Sequence, residues 1–345
     1  MRAAVLYGKK DLRIEVVETP RPGAGEVLLQ VKSACVCGTD VRMYLNGRDG
    51  AGGGAPLIIG HEMSGLVAEV GLGVNAVKPG ARVIVAPNMG CGMCDRCVAG
   101  NSHLCASYVA LGIHLNGSFA EYVRVPSAAV AQGNIVELPD AVSFPAGAMV
   151  EPLSCVYSAF ERGRIAPGDT VLVMGAGPIG IMHARLARMG GAARVILSDV
   201  SSDRLALARR MEESLVVADS GALKELVKDL TRGSGVDVCI TACPAPEAQA
   251  AALELTGING RVIFFGGLPK SKCPVQLDTN LIHYKQLIVT GTARSSLTQY
   301  RRSVDLVARG LVKVDDLVTS TWPLDQVGAA MNKVAAGEGL KAAVV

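Results

Sequence analysis

The chain has 345 residues, which is too long for one ordinary hydrophobic core, and half of them are hydrophobic, so two well-packed domains are expected. Its net charge of +3 comes from interspersed acidic and basic residues, and without long like-charged runs no nucleic-acid partner is expected. Charged residues near the start of the sequence argue against a secretory signal. The most apolar stretch (170–186) contains glycine, proline, histidine and arginine, which argues against a membrane span, so a cytoplasmic protein is expected.

Short apolar segments recur in the first half of the chain and predict a β-rich domain. Between several of them lie segments rich in Gly, Pro and Asn, as in a β domain with long loops. The predicted strands are Ala3–Leu6, Val27–Val31, Leu66–Val70, Arg82–Val85 and Tyr122–Val125.

One set of possible metal ligands is spread along this half of the chain. Cys37 lies a few residues after the predicted strand Val27–Val31. His61 and Glu62 follow the apolar run Pro56–Ile59, and Glu151 lies where the pattern turns helical. Each is ordinary alone, since a lone Cys or His is usually core and a lone Glu usually faces solvent. Together, one thiolate, one imidazole and two carboxylates can form a catalytic zinc site with an open position for water or substrate.

Four cysteines lie close together in one loop of the same half. Their C-x2-C-x2-C-x7-C spacing can surround one ion tetrahedrally and leaves no open position, which predicts a structural zinc site. The long last gap, with no proline after it, fits an iron–sulfur cluster poorly. Free thiols or transient disulfides are the remaining alternative. The predicted ligands are Cys91, Cys94, Cys97 and Cys105.

In the second half of the chain, helices and strands alternate, which predicts βαβ units and a doubly wound parallel sheet. The predicted strands are Thr170–Met174, Arg194–Ser198, Val236–Ala242, Arg261–Phe265 and Leu287–Thr290. The predicted helices are Pro152–Gly163, Ile179–Met189, Ser202–Met211, Leu223–Thr231 and Glu247–Thr256.

The alternation stops after Thr292, where two helices, Tyr300–Arg309 and Leu324–Ala336, are predicted. We assign this last part to the first domain. Residues 1–153 and 292–345 are then expected to form the metal-binding domain, and residues 154–291 a dinucleotide-binding domain inserted between them.

A glycine-rich segment, Gly175-Ala-Gly177-Pro178-Ile179-Gly180, directly follows a predicted strand and opens a helix. A lone GxGxxG is weak evidence, but this strand–turn–helix context is that of a dinucleotide-binding turn. Its glycines permit a tight turn, close approach of a pyrophosphate and close helix packing, and the helix N-terminus attracts phosphate. A structural turn without a ligand is the alternative.

Asp199 ends the next predicted strand, about 20 residues after the glycine motif. A carboxylate at this place accepts hydrogen bonds from both ribose hydroxyls and repels a 2′-phosphate, so NAD is predicted rather than NADP. Arg204 and Ser201 argue in the other direction, because they could bind that phosphate if Asp199 turned away.

The CGTD, GHE, four-cysteine, EPL and GAGPIG motifs, in this order and spacing, resemble the medium-chain zinc-dependent alcohol dehydrogenases. The resemblance covers essentially the whole chain and is closest to the polyol (sorbitol or L-iditol) and threonine dehydrogenase branch. It implies an α/β protein with a GroES-like β-rich catalytic domain and a Rossmann coenzyme domain. It further implies NAD(H), two zinc ions per chain, a homotetramer or dimer, and a small polar secondary alcohol or ketone as substrate: a polyol, sugar or cyclitol.

The resemblance also assigns ligands. Cys37, His61 and Glu62 would hold the catalytic zinc, with Glu151 as a direct or water-mediated partner; other alcohol dehydrogenases of the family have a cysteine there. Because one thiolate and one carboxylate already neutralise a divalent zinc ion, we expect Glu151 to engage through water or in part of the cycle.

Thr39 would hydrogen-bond the substrate oxygen and pass its proton onward, and Arg294 matches an arginine near the active site of polyol enzymes. There are departures. The related enzymes have His at position 42, where this chain has Arg42, and often aromatic residues where Met43 and Ser295 stand here. A standard sorbitol pocket is therefore not expected.

Arg42 cannot act as a base, because the pKa of arginine stays above ~12. Its planar guanidinium is suited to binding the cofactor pyrophosphate or an anionic group on the substrate. A solvated surface arginine is the alternative. The glycine-rich segment 47–54 nearby could form a lid over this position.

Two other functions remain as alternatives. One is a related enzyme, either an NADPH-dependent ketone or ketose reductase or an L-threonine 3-dehydrogenase-like enzyme. The other is a non-catalytic nucleotide-binding relative, which is disfavoured because such a chain should have lost zinc ligands or Thr39.

Overall fold

The computed structural model describes residues 1–47 and 55–345. It divides into two compact units, Met1–Ser154 with Ser295–Val345, and Cys155–Arg294. The boundaries expected from the sequence lie within a few residues of these. The lid hypothesis concerns residues that, apart from Gly47, lie outside the described part. No helix in the described ranges is long and apolar enough to cross a membrane.

The strands and helices follow in chain order. The strands are β1 (Arg2–Gly8), β2 (Asp11–Val16), β3 (Val27–Cys35), β4 (Leu57–Ile58), β5 (Glu62–Val70), β6 (Arg82–Val85), β7 (Asn88–Met89), β8 (Val109–Ala110), β9 (Tyr122–Val125), β10 (Ile135–Glu137), β11 (Thr170–Met174), β12 (Arg194–Asp199), β13 (Val216–Asp219), β14 (Val236–Thr241), β15 (Thr256–Phe264), β16 (Ile288–Gly291), β17 (Val318–Trp322) and β18 (Lys341–Val344). The helices are α1 (Gly38–Asn46), α2 (Asp95–Val98), α3 (Ser127–Gln132), α4 (Phe144–Ala148), α5 (Val150–Gly163), α6 (Pro178–Met189), α7 (Ser202–Met211), α8 (Leu223–Leu230), α9 (Pro246–Leu255), α10 (Thr279–Lys285), α11 (Leu297–Ala308) and α12 (Val327–Ala335).

The first unit is built around a 7-stranded sheet in the order β10-β6-β5-β3-β18-β17, with β9 paired to β3. In β3, residues at both ends are buried and the middle is half-buried, because the strand lies in the centre of the sheet. One core cluster packs α12 and β18 against β1 and β3, around Leu6, Phe119 and Met331. This sheet positions the candidate metal site, since β5 and β18 lie on either side of β3.

The second unit contains a 6-stranded parallel sheet in the order β13-β12-β11-β14-β15-β16. Every residue of β11 except Thr170 is buried, as expected for a central parallel strand covered by helices on both faces. The chain order reverses between β11 and β14, which is where doubly wound sheets bind their ligands. The predicted α/β architecture is confirmed.

Some elements differ from the sequence-based prediction. The structure contains α1, β13 and β17, which the pattern did not predict, and Thr256 begins β15 instead of ending a helix. Strands β13 and β17 are short and mostly half-buried, so pairing with β12 and β18, not hydrophobic patterning, stabilises them. The Thr256 hydroxyl donates to the carbonyl of Ala252 and ends the helix there.

Candidate active site

Three predicted ligands meet at one end of the first unit's sheet. Strand β5 pairs with β3 so that Cys35 lies opposite Glu62, which brings the residues after β3 next to the start of β5. The ligand atoms of Cys37, His61 and Glu62 lie within 4.8 Å of one another. Glu62 and His61 are buried and Cys37 is half-buried, so the group is accessible mainly on the cysteine side.

Asp40 links two of these ligands from the first turn of α1. One carboxylate oxygen accepts a hydrogen bond from the Cys37 N–H (2.9 Å), and the other lies 3.2 Å from His61 Nδ1. Burial alone lowers the pKa of His61, but the negative charges of Asp40 and Cys37 outweigh it and raise that pKa well above its usual range. A carboxylate at Nδ1 leaves Nε2 as the nitrogen for a metal.

Lys341 was not predicted as part of the site. Strand β18 pairs with β3, with Ala343 opposite Cys35, and this pairing brings Lys341 beside the ligands. Its Nζ lies 2.7 Å from Glu62 Oε1, and both side chains are almost fully buried. Burial lowers the pKa of Lys341, but the negative charges of Glu62 and Cys37 raise it overall, so the lysine is charged.

The group fits a zinc ion. The second oxygen of Glu62, Oε2, is buried and has no hydrogen-bond partner among the residues described. A buried carboxylate oxygen without a partner is costly unless a cation binds it. Thiolate, imidazole and carboxylate are zinc ligands, and three protein ligands leave a position open for substrate.

Glu151, at the start of α5, is not part of this compact group of ligand atoms. Burial raises its pKa to about 7, while the positive charge of His61 lowers it and the negative charge of Glu62 raises it. Ser154 fixes the first turn of α5 by donating to the Glu151 carbonyl (2.6 Å) and sharing a hydrogen bond with Ser295 (2.6 Å). The expected contact of Glu151 with the metal, direct or through water, stays a prediction.

Thr39 and Arg42 lie one turn apart on α1. Arg42 Nη2 donates a hydrogen bond to Thr39 Oγ1 at 3.1 Å. Thr39 is half-buried and Arg42 is exposed. The contact was not anticipated from the sequence. The expected binding of a pyrophosphate or substrate anion by Arg42 stays a prediction.

The four cysteines of the loop face one another. The Sγ–Sγ distances are 3.6 Å for Cys94–Cys97, 3.8 Å for Cys94–Cys105 and 4.0 Å for Cys91–Cys97. Zn–S bonds of about 2.3 Å place two tetrahedral sulfurs about 3.8 Å apart, whereas a disulfide bond is about 2.05 Å long. Backbone N–H groups of Met93 and Cys94 lower the pKa of Cys91 to about 6, whereas burial raises the pKa of Cys97 to about 11. The geometry therefore fits a closed zinc site and not disulfides.

The glycine motif of the second unit leaves room for an anion. Gly175 has a φ of 119°, and a Cβ on Gly180 would lie 1.7 Å from the Gly175 carbonyl oxygen, so glycine is required at both positions. Gly177 caps α6, which starts with Pro178 and Ile179, and a Cβ on Gly177 would approach only Arg204 Nη1, at 4.0 Å. The space before the helix N-terminus is therefore open to a phosphate.

A cavity of about 460 Å³ opens at the carboxyl ends of β11 and β12, lined among others by Gly175, Asp199 and Cys243. Asp199 Oδ2 accepts a hydrogen bond from the Ala176 N–H (2.7 Å), and Oδ1 accepts one from the Ser201 N–H (2.9 Å). These two bonds fix the carboxylate at the edge of the cavity. The cavity lies in the region where doubly wound sheets bind nucleotides, and its volume suits a small-molecule ligand.

Arg294 is the last residue of the second unit. Its backbone is left-handed, with a φ of 62°, a conformation that non-glycine residues rarely adopt and that often marks a functional position. Its expected role toward the substrate stays a prediction.

Comparison with known proteins identifies two family models in the chain: "Alcohol dehydrogenase GroES-like domain" matches residues 23–140 and "Zinc-binding dehydrogenase" residues 178–309. Sorbitol dehydrogenase of Bacillus subtilis is 32% identical over 337 residues, which cover 96% of this chain and 93% of that protein. L-threonine 3-dehydrogenase of Coxiella burnetii is 31% identical, covering 93% of this chain and 92% of that protein.

A zinc-binding dehydrogenase from Sinorhizobium meliloti 1021, solved bound to NADP, has the same fold. Its TM-score is 0.90 at 32% identity, and the match covers 100% of this chain and 98% of that one. Together with the family models, this shows a GroES-like domain and a Rossmann-type domain, as the sequence predicts.

Proposed function

Because this chain belongs to the zinc-dependent medium-chain alcohol dehydrogenase superfamily, we propose that it transfers a hydride between NAD(H) and a secondary alcohol or its ketone. The substrate is a small polar molecule (a polyol, sugar or cyclitol), and the activity resembles that of an L-iditol 2-dehydrogenase. The proposal depends on one observation: the ligand atoms of Cys37, His61 and Glu62 lie close together, and Thr39 follows Cys37 by two residues.

The residues divide the work as follows. A zinc ion held by Cys37, His61 and Glu62 would supply a Lewis acid for the substrate oxygen. Thr39 binds that oxygen, and in oxidation it takes up the substrate proton while passing its own hydroxyl proton onward to an acceptor. Asp40 keeps His61 in the orientation needed for a ligand, and a bound nicotinamide cofactor would supply the hydride acceptor.

NAD is the proposed cofactor because Asp199 presents a fixed carboxylate at the edge of the nucleotide cavity. Two ribose hydroxyls can donate to it, and a 2′-phosphate is repelled. An NADPH-dependent ketone or ketose reductase is the second candidate, since the similar protein from Sinorhizobium meliloti was solved with NADP. L-threonine 3-dehydrogenase activity is the third, from the likeness to the Coxiella enzyme.

The test is a panel of polyols, sugars, cyclitols, simple secondary alcohols and L-threonine, each offered with NAD and with NADP, and followed by absorbance of the reduced cofactor. We expect turnover of at least one polyol or cyclitol with NAD. Cys37→Ser should abolish it, while Cys273→Ser, at an exposed cysteine of the second unit, should not. Turnover with NADP alone would favour the reductase, and L-threonine as the best substrate would favour the third candidate.

Turnover of no member of the panel, in protein that contains zinc, would contradict the proposal and favour a non-catalytic relative. A cytoplasmic location and a homotetramer or dimer also stay predictions. Size-exclusion chromatography with light scattering would measure the number of chains in the assembly.

A further inference from the structure

Arg42 and Thr39 are joined by a hydrogen bond whose direction is fixed. A guanidinium has only N–H donors and no acceptor, so Thr39 Oγ1 must be the acceptor in the 3.1 Å contact with Arg42 Nη2. The Thr39 hydroxyl hydrogen therefore cannot point at Arg42. It is left for an acceptor elsewhere.

The start of α1 holds this pair next to the candidate metal ligands. Cys37 immediately precedes the helix, and the buried Asp40 carboxylate accepts from the Cys37 N–H, which fixes the first turn. Thr39 lies in that turn and is half-buried. Its hydroxyl makes no other hydrogen bond within the described part of the chain, so an external oxygen can take its hydrogen.

We propose that Arg42 is a positioning residue that acts through Thr39. By occupying one lone pair of Thr39 Oγ1, it turns the hydroxyl hydrogen toward the substrate oxygen, on which negative charge develops during the reaction. The proposal rests on the proposed function, because it takes Thr39 as the residue that contacts the reacting oxygen. It differs from binding of a pyrophosphate or a substrate anion, which needs no contact with Thr39.

The expected effect follows from the strength of such donors. Removing a hydrogen-bond donor aimed directly at developing charge slows enzymes by about 100-fold to 1,000-fold. Arg42 acts one bond further away, so we expect a smaller loss, about 10-fold in kcat. Because Arg42 is exposed, its replacement should leave folding and zinc content unchanged.

The experiment compares wild type, Arg42→Gln and Arg42→Lys, with Arg302→Gln as the control at an exposed arginine of α11. Besides kcat and KM, calorimetry on the zinc- and cofactor-loaded protein measures the Kd of trifluoroethanol, an acidic alcohol that mimics a partly deprotonated substrate. Arg42→Gln should lower kcat and weaken trifluoroethanol binding about 10-fold, with an unchanged KM for the cofactor. Arg42→Lys should recover much of the loss, since lysine can also donate to Thr39.

Thr39→Val gives the decisive comparison. If Arg42 acts through Thr39, then Arg42→Gln should add no further loss of trifluoroethanol affinity in the Thr39→Val background. Additive losses would overturn the proposal, as would a raised cofactor KM with unchanged kcat, or a loss confined to anionic substrates. A wild-type protein that neither oxidises an alcohol nor binds trifluoroethanol would overturn the proposed function, and this proposal with it.

Discussion

Each charged residue beside the candidate zinc ligands binds one atom of a ligand and leaves another for the metal. Lys341 Nζ lies 2.7 Å from Glu62 Oε1, so Oε2 remains for the metal, and Asp40 Oδ1 lies 3.2 Å from His61 Nδ1, so Nε2 remains for it. Such partners fix the orientation of a ligand before metal binds, which reduces the entropy lost on binding. At the scale of single residues, the site is therefore already oriented for a cation.

Asp199 is the residue on which cofactor choice should depend. Asp199→Ala removes an acceptor for two ribose hydroxyls, and hydrogen bonds to a charged group contribute about 1.5–3 kcal/mol. We expect NAD affinity to fall at least about 10-fold and NADP affinity to rise, because the carboxylate that repels a 2′-phosphate is gone and Arg204 lies near the glycine turn. Titration with both cofactors, followed by protein fluorescence, measures this.

Asp203→Ala is the matched control, because Asp203 is an exposed carboxylate in the first turn of α7, near Asp199. It should change neither affinity by much. If Asp199→Ala lowered both affinities equally, Asp199 would only stabilise the turn through its bonds to Ala176 and Ser201, and it would not discriminate between NAD and NADP.

His183 should make the protein sensitive to acid. It is fully buried in α6, and burial lowers its pKa to about 3, against about 6.5 in an unfolded chain. Below pH 6.5 the unfolded chain binds a proton that the folded protein does not. The free energy of unfolding therefore loses nothing from His183 above pH 6.5. It falls as the pH drops from 6.5 toward 3, by about 1.4 kcal/mol per pH unit.

Between pH 6.5 and pH 5, the free energy of unfolding of His183→Leu should fall by about 2 kcal/mol less than that of wild type, as measured by urea unfolding at each pH. His283→Leu, at an exposed histidine of α10, should keep the wild-type pH dependence. Equal pH dependence in all three proteins would contradict the assignment of acid sensitivity to His183.

At the scale of elements, the central strand β3 assembles the site. Its neighbour β5 carries Glu62, and its other neighbour β18 carries Lys341, so their ion pair spans β3. Breaking a buried pair leaves an uncompensated charge and costs about 3–5 kcal/mol. Lys341→Met should therefore lower the free energy of unfolding of the zinc-free protein by roughly that amount, measured with urea.

Lys78→Met, at an exposed lysine, is the control and should be nearly neutral. The double variant Glu62→Gln/Lys341→Met should be more stable than Lys341→Met alone, because Gln leaves no buried charge behind. Losses that simply add would show that the two residues do not interact.

At the scale of the whole molecule, we expect two zinc ions per chain with different roles. Cys37→Ser should lose one zinc ion and the activity but keep the fold. Cys94→Ser should lose the other and destabilise the chain, because a closed site contributes its binding energy to folding. Elemental analysis and thermal unfolding of both variants measure this.

Cys243→Ser serves as the control for loss of a thiol outside both groups of ligands. It should keep two zinc ions per chain. Wild-type protein with a single zinc ion, or a Cys94→Ser variant as stable as wild type, would show that the cysteine loop holds no structural metal.

Motifs of short span could be read from the sequence, because nearby residues determine their geometry. The spacing of Cys91, Cys94, Cys97 and Cys105 fixes how four sulfurs can meet, and the glycine motif fixes a turn before a helix. The alternation of strands and helices likewise predicts the parallel sheet, because right-handed crossovers allow few arrangements. The proposed structural zinc site rests on local spacing of this kind, whereas the ligands of the proposed catalytic site are brought together by the pairing of β3 with β5.

Other features depended on chain segments that only the fold brings together. Nothing local to Lys341 indicates its partner, because Glu62 lies 279 residues away and the contact needs β18 paired beside β3. Strand β13 lacks a strong pattern and forms by pairing with β12. The sequence by itself thus determined the order of the main elements and predicted the ligand types. The tertiary structure decided which buried charges are paired, because electrostatic contacts depend on distance in space and not on separation along the chain.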